Sequence, residues 1–278
     1  MTSQTLTTQS VTVTAKHSHK PRVNRVPIEA PWVWLASGWR DLWVSPMVSL
    51  LYGAAFAFVA VALLPAMLEI GWQSVVPALA GGFLLVGPIL AVGLYEKSRR
   101  LEMREPISVF DVVMVGVRSP GQLALIGVGM LMVYFVWIIV AFLLLAIFLG
   151  AQPLPPYEEF LPTLLFTPQG IGLLVTGTIA GGLLAALVFS ISAVSVPLLM
   201  VHDLDVVTAV ATSLAAVWAN LRPMALWATL IAGLMVLGFA TLFVGLIVAF
   251  PLIGHATWHA YRDLVAFEVE PEIVASAI

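Results

Sequence analysis

The sequence predicts an all-α polytopic membrane protein: six transmembrane helices as three hairpins, with interfacial helices on the cytoplasmic face. Three observations predict it. Of 278 residues, 61% are hydrophobic and only 10% charged, where a soluble domain carries about 25% charged residues. So little polar surface cannot solvate a globule, and lipid must be the solvent. The apolar residues come in runs of membrane-crossing length. With six spans drawn, all twelve Lys and Arg fall on one side. The positive-inside rule makes that side cytoplasmic, with both termini there.

There is no cysteine. That excludes disulfides, thiolate metal sites, iron–sulfur clusters and cysteine nucleophiles, and leaves the redox compartment undetermined. Residues 1–30 read as a disordered cytoplasmic tail, Thr/Ser/Gln-rich, with Lys16, Lys20, Arg22 and Arg25. No apolar stretch near Met1 suggests a signal peptide, so the first span is expected to drive insertion. Within the tail, Lys16-His17-Ser18-His19-Lys20 also reads as a metal-binding or anionic-lipid tract.

Residues 31–265 form the six-span domain. Pro31 to Ser45 holds Trp32, Trp34, Trp39 and Trp43 around Arg40-Asp41, a pattern suited to a short helix at headgroup level. Pro46 opens the first span, to about Leu68. After a turn over 69–74 the second runs from about Val75 to Tyr95 and leaves through Glu96-Lys97-Ser98-Arg99-Arg100. Pro106 to Arg118 is a second interfacial stretch. The third span is about Leu123 to Leu149. The loop 150–169 carries Glu158 and Glu159 and no basic residue. The fourth span, about Ile171 to Met200, is long enough to tilt or to kink at Pro197. Val206 to Asn220 is the third interfacial stretch. Met224 to Tyr261 is too long for one span and nearly right for two, with a tight turn expected near Gly238 to Thr241. Residues 266–278 are a disordered acidic tail with Glu268, Glu270 and Glu272.

The three hairpins share an order: interfacial stretch, proline, span, turn, span with a late proline. The late prolines are Pro88, Pro197 and Pro251. A proline inside a helix frees a carbonyl and kinks the axis, which membrane bundles tolerate when neighbours satisfy it. Three kinked ends converging on the cytoplasmic side would make a polar vestibule of Tyr95, Glu96, His202, Asp203, His255, Trp258, His259, Arg262 and Asp263. Glu96, Asp203 and Asp263 would form an acidic ring facing Arg99, Arg100 and Arg262, or simple ion pairs at the membrane edge.

His255 and His259 are four apart and share a helix face. That spacing admits a metal or a haem, a proton or substrate role, or hydrogen bonds to carbonyls that Pro251 frees. Gly177 and Gly181 make a GxxxG pair suited to close packing inside the bundle. Ser190, Ser192 and Ser195 are expected to bond their own backbone carbonyls. No Walker-type loop, GxGxxG, HExxH, GxSxG or DxDxDG pattern occurs at a usable position, and the basic residues are too few and too close to lipid for nucleic-acid binding.

Gly38-Trp39-Arg40-Asp41-Leu42, Gly87-Pro88-Ile89-Leu90-Ala91-Val92-Gly93-Leu94-Tyr95-Glu96 and above all Gly254-His255-Ala256-Thr257-Trp258-His259-Ala260-Tyr261-Arg262-Asp263-Leu264 resemble an uncharacterised bacterial integral membrane family, domain of unknown function 2189. The resemblance runs from about Trp34 to Val265. Some members carry labels as cytochrome c oxidase subunits, which implies an association with respiration and no mechanism. A catalytic oxidase subunit needs histidines on several spans, and here one span carries them. The expectation is a bacterial inner-membrane protein, more a non-catalytic accessory or assembly protein of a larger complex than an enzyme. The alternatives are a transporter or channel for a small solute or lipid, and a metal- or haem-binding enzyme using His255 and His259. The expected partners are the lipid bilayer and other membrane-complex subunits, and the sequence specifies no cofactor.

Overall fold

A computed structural model describes residues 11–71, 75–150 and 157–275. Its helices are α1 (Ala30–Trp43), α2 (Pro46–Glu69), α3 (Val75–Leu90), α4 (Val92–Met103), α5 (Val109–Val113), α6 (Pro120–Leu149), α7 (Tyr157–Phe166), α8 (Pro168–Val201), α9 (Val206–Ala219), α10 (Leu221–Ala240) and α11 (Leu246–Leu264). Prolines open α2, α6 and α8, where the missing N–H is an orphan donor anyway. Thr167 caps α8 by accepting from Gly170 N, and Asp205 caps α9 by accepting from Thr208 N.

Five stretches are long and apolar enough to cross a membrane: α2, Ala78–Met103 through α3 and α4, α6, α8 and α10. This makes the chain a multi-pass integral membrane protein. The expected sixth, α11, is 19 residues long but less apolar, carrying His255, His259, Arg262 and Asp263. Its position supplies the reason. It packs against α1, α2, α4, α8 and α10, and most of its residues are buried. Protein surrounds it, so lipid does not dictate its composition. Glycines grip it: a Cβ on Gly38 of α1 would stand 2.6 Å from Ala256 N, and one on Gly53 of α2 would collide with Ile247 O.

The proline-bearing closing helices form the centre. α3/α4, α8 and α11 pack on one another, with Pro88, Pro197 and Pro251 inside them. The chain breaks at Ala91 just after Pro88, separating α3 from α4. Around this centre, α2 lies on α11, α6 on α3 and α8, and α10 on α11. The short helices have their own rule: α5 sits on α4, α9 on α8 and α1 on α11. α2 barely touches α3, its neighbour in sequence.

Several expectations change. α1 buries Trp34, Gly38, Asp41 and Leu42 against the bundle and leaves Trp32, Trp39 and Trp43 exposed, so it is a packed helix with an aromatic outer face. The second interfacial stretch is helical only over five residues, opened by a Ser108–Asp111 capping box. The following backbone is used elsewhere: Arg118 and Ser119 N–H donate to Met200 O and Leu199 O, orphan carbonyls at the end of α8. The loop 150–169 contains α7, with 151–156 outside the described residues. The turn between α10 and α11 falls at 241–245, later than expected, with Leu242 and Phe243 left-handed. Thr241 Oγ1 accepts from Gly245 N at 2.8 Å within it.

The terminal segments pair with each other. β1 (Val11–Val23) runs antiparallel to β2 (Val265–Ala275), with Val11 opposite Ala275, Val23 opposite Val265 and an irregularity between His17 and Pro21. The alternating Val-Thr-Val-Thr start of β1 suits a pleated strand. Residues 1–10 and 276–278 lie outside the described residues.

Candidate functional site

The charged end of the bundle holds a buried polar network built from four helices. Lys97 of α4 is fully buried, and its Nζ donates to Asp41 O at 3.0 Å, Ser45 O at 3.2 Å and Ser49 Oγ at 2.6 Å. All three ammonium donors are used. Asp41 O belongs to the last turn of α1, whose carbonyls lack helical donors and carry partial negative charge. Lys97 therefore caps α1 while it ties α2 to α4.

The network continues through His255, itself fully buried. Ser49 Oγ is 2.9 Å from His255 Nε2, and Ser98 Oγ is 2.9 Å from Nδ1. His259 Nε2 lies 2.8 Å from Asp41 Oδ2. With a neutral imidazole the order of contacts assigns the protons. Ser49 accepts from Lys97, which leaves its own hydrogen for Nε2 of His255. Nδ1–H of His255 then donates to Ser98. The result is one directed chain from Lys97 to Ser98, with the His259–Asp41 contact beside it. Burial works to raise the Asp41 pKa, but the hydrogen bond with His259, the nearby Ser98 hydroxyl and the imidazoles outweigh it and hold the carboxyl below its ordinary value.

The other expected site residues fall into separate clusters. Glu96 receives a bidentate fork from Arg99 at 2.7 and 2.8 Å and a bond from Arg100 at 2.7 Å. Arg262 pairs with Glu102 at 2.9 Å, and Trp258 Nε1 donates to the same carboxylate at 3.2 Å. Asp263 accepts from Trp34 Nε1 at 2.6 Å. The His202 ring lies on Phe267, and its pKa is lowered by burial and by Arg262. Asp203 sits 3.4 Å from Ser119 Oγ. Tyr95, His255 and Trp258 are buried. His255 and His259 are brought together, but each is engaged by other side chains. Among the described residues no group of three or more His, Asp or Glu is placed to hold a metal ion.

Sequence reasoning did not single out Ser49, Lys97, Ser98 or Glu102. One signal was there. Gly93, Leu94, Lys97 and Ser98 continue one face of α4 at helical spacing, and Lys97 reads as buried if that face is.

Away from the charged end, apolar cavities lie between the spans. One of about 340 Å³ separates α2 from α3, and one of about 460 Å³ lies among α3, α6, α7 and α8. Gly177 faces open space beside the latter, whereas Gly181 meets the Trp137 ring, so only half of the GxxxG pair packs closely. The third cavity, about 430 Å³, lies where α8 and α10 face each other across α3 and α11. Tyr95, Ser192, Trp227, Thr229 and Thr257 line it with otherwise apolar side chains.

Helices of this length, composition and packing are those of an integral membrane protein, and one comparison finds a family to which part of the chain is similar. Residues 75–201 match the family model described as predicted integral membrane protein (DUF2189). This is the family that the sequence resembles. The DUF2189 match runs from α3 to α8. It includes Pro88, Pro197, Lys97 and Ser98, but not α11, whose 254–264 motif carried the resemblance most strongly. Comparison with curated proteins found no match, and comparison with solved structures found none.

Proposed function

We propose that this is a six-span protein of the bacterial inner membrane that binds and moves a small apolar or amphiphilic solute of the lipid class. The observation that carries the reading is the third cavity. It is of the size of ligand sites generally and sits between two helices, α8 and α10, that scarcely touch. The packing of the closing helices supports three repeated units: each short helix rests on the closing helix of the preceding unit, with α1 completing the cycle on α11. In such a ring each leading span lies between two closing helices. α6 does so, while α10 contacts α11 and leaves its α8 side open as the cavity. The network at Lys97 and His255 fastens the charged, cytoplasmic end.

The test is native mass spectrometry of the protein extracted in mild detergent, followed by transfer of a fluorescent fatty alcohol between proteoliposomes and acceptor vesicles. A retained lipid-class molecule and protein-dependent transfer support the reading. Neither would be seen if it is wrong. The alternative, an accessory or assembly protein, instead requires other membrane subunits to be recovered in fixed ratio.

A further inference from the structure

The three serines of α8 meet different fates. Ser190 Oγ donates to Ala186 O at 2.7 Å and Ser195 Oγ to Ile191 O at 2.6 Å, the back-bond a helical serine makes when no other acceptor is near. Ser192 departs from that expectation. It is 1% exposed, and its hydroxyl has no hydrogen-bond partner among the described residues. Buried hydroxyls are costly to leave unpaired, and an orphan calls for an explanation. Ser192 lines the cavity between α8 and α10.

Two further residues of the same lining have altered backbone bonding. Pro88 and Pro197 have no N–H, so the carbonyls of Leu84 and Ala193 lose their helical donors. Leu84 and Ala193 both line this cavity. The Thr229 and Thr257 hydroxyls line it too but are spent on Ala225 O and Ile253 O. No charged side chain lines it. The lining thus holds an unpaired hydroxyl and two residues whose carbonyls lack helical donors, with nothing to neutralise an anion or a cation.

Building on the solute reading above, we propose that the cavity seats a neutral amphiphile bearing one hydroxyl. Its hydroxyl oxygen accepts from Ser192, its hydrogen goes to a carbonyl freed by proline, and its apolar body lies against Trp227, Phe83 and Met235. A carboxylate or phosphate head is rejected, because it would be buried without a counter-charge. A plain hydrocarbon fits but leaves Ser192 unpaired.

The experiment is native mass spectrometry of the full chain in mild detergent, titrated separately with hexadecanol, hexadecane and hexadecanoate. Wild type is expected to bind one hexadecanol per chain. Ser192→Ala is expected to weaken hexadecanol binding roughly three- to tenfold, the worth of one neutral hydrogen bond, and to leave hexadecane unchanged. Ala228→Phe, which fills the cavity from α10, is expected to abolish binding of all probes while helix content stays that of wild type. Equal binding of hexadecanol and hexadecane, with Ser192→Ala unaffected, would overturn the hydroxyl seat and leave the solute reading standing. Saturable binding of no probe, or binding unaffected by Ala228→Phe, would overturn both.

Discussion

Replacing Lys97 with Met keeps the length and apolar stem of the side chain and removes its ammonium. Three hydrogen bonds vanish: those to Asp41 O, Ser45 O and Ser49 Oγ. The Ser45 end is exposed and can turn to water, so two buried acceptors are left unpaired, at about 1–3 kcal/mol each. Relief of burying the charge offsets part of this, because taking an ammonium out of water itself costs several kcal/mol. No charge is left behind, so the two orphaned neutral acceptors set the net loss, here about 2–4 kcal/mol. At about 2–4 °C per kcal/mol, the slope for soluble domains of comparable size, the melting temperature should fall by roughly 5–15 °C. The assay is thermal unfolding in detergent at one fixed scan rate, followed by helix circular dichroism. Arg100→Met is the control: its pairs are partly exposed, and it should cost about 0–1 kcal/mol. A melting temperature for Lys97→Met equal to or above wild type would refute the argument that Lys97 holds α1 to the bundle.

Other consequences follow from the same contacts. Gly38→Ala places a Cβ against the backbone of Ala256 and should destabilise by about 1–3 kcal/mol as an overpacking change, whereas Gly129→Ala, with open space around it, should be neutral or slightly stabilising in the same melt. The Asp41 pKa is depressed in the fold, so its contribution is present above the unfolded carboxylate value of about 3.9 and is lost as pH falls through the lower folded value. Melting temperature should therefore drop below about pH 4 in wild type, and Asp41→Asn should remove that part of the acid dependence. Pro251→Ala should leave membrane insertion intact, since a helical donor is added and none removed. Failure to insert would mean that α11 depends on the proline. Single cysteines at 104 and 272 should label from the same face of the membrane if α11 crosses it. Labelling from opposite faces would leave five spans.

Length and apolarity made the spans readable. α2, α6 and α8 start at Pro46, Pro120 and Pro168, close to where the sequence places them. Charge served less well. Glu96-Lys97-Ser98-Arg99-Arg100 reads as a solvated exit, yet one turn later in space it divides: Arg99 and Arg100 pair with Glu96 near the surface while Lys97 and Ser98 turn inward. Sequence spacing brought His255 and His259 to one face but could not supply Asp41 and Ser49, which lie more than two hundred positions away. The same holds for Ser192. Its neighbours Ser190 and Ser195 obey the local rule, and the exception depends on the gap opposite α10, which only packing creates. The terminal ribbon has no local signal, because charged, proline-containing strands look unstructured until each is the other's partner.

The central claim is that a lipid-class molecule occupies the α8–α10 cavity, and photolabelling in nanodiscs tests it most directly. A long-chain alcohol carrying a diazirine in its chain would be crosslinked to the wild-type protein and the labelled positions mapped, with and without excess hexadecanol. The account expects label concentrated on the cavity walls around Ser192 and Trp227, displaced by hexadecanol and absent in Ala228→Phe. Label spread along the lipid-facing surface of α6, undiminished by competitor, would contradict it.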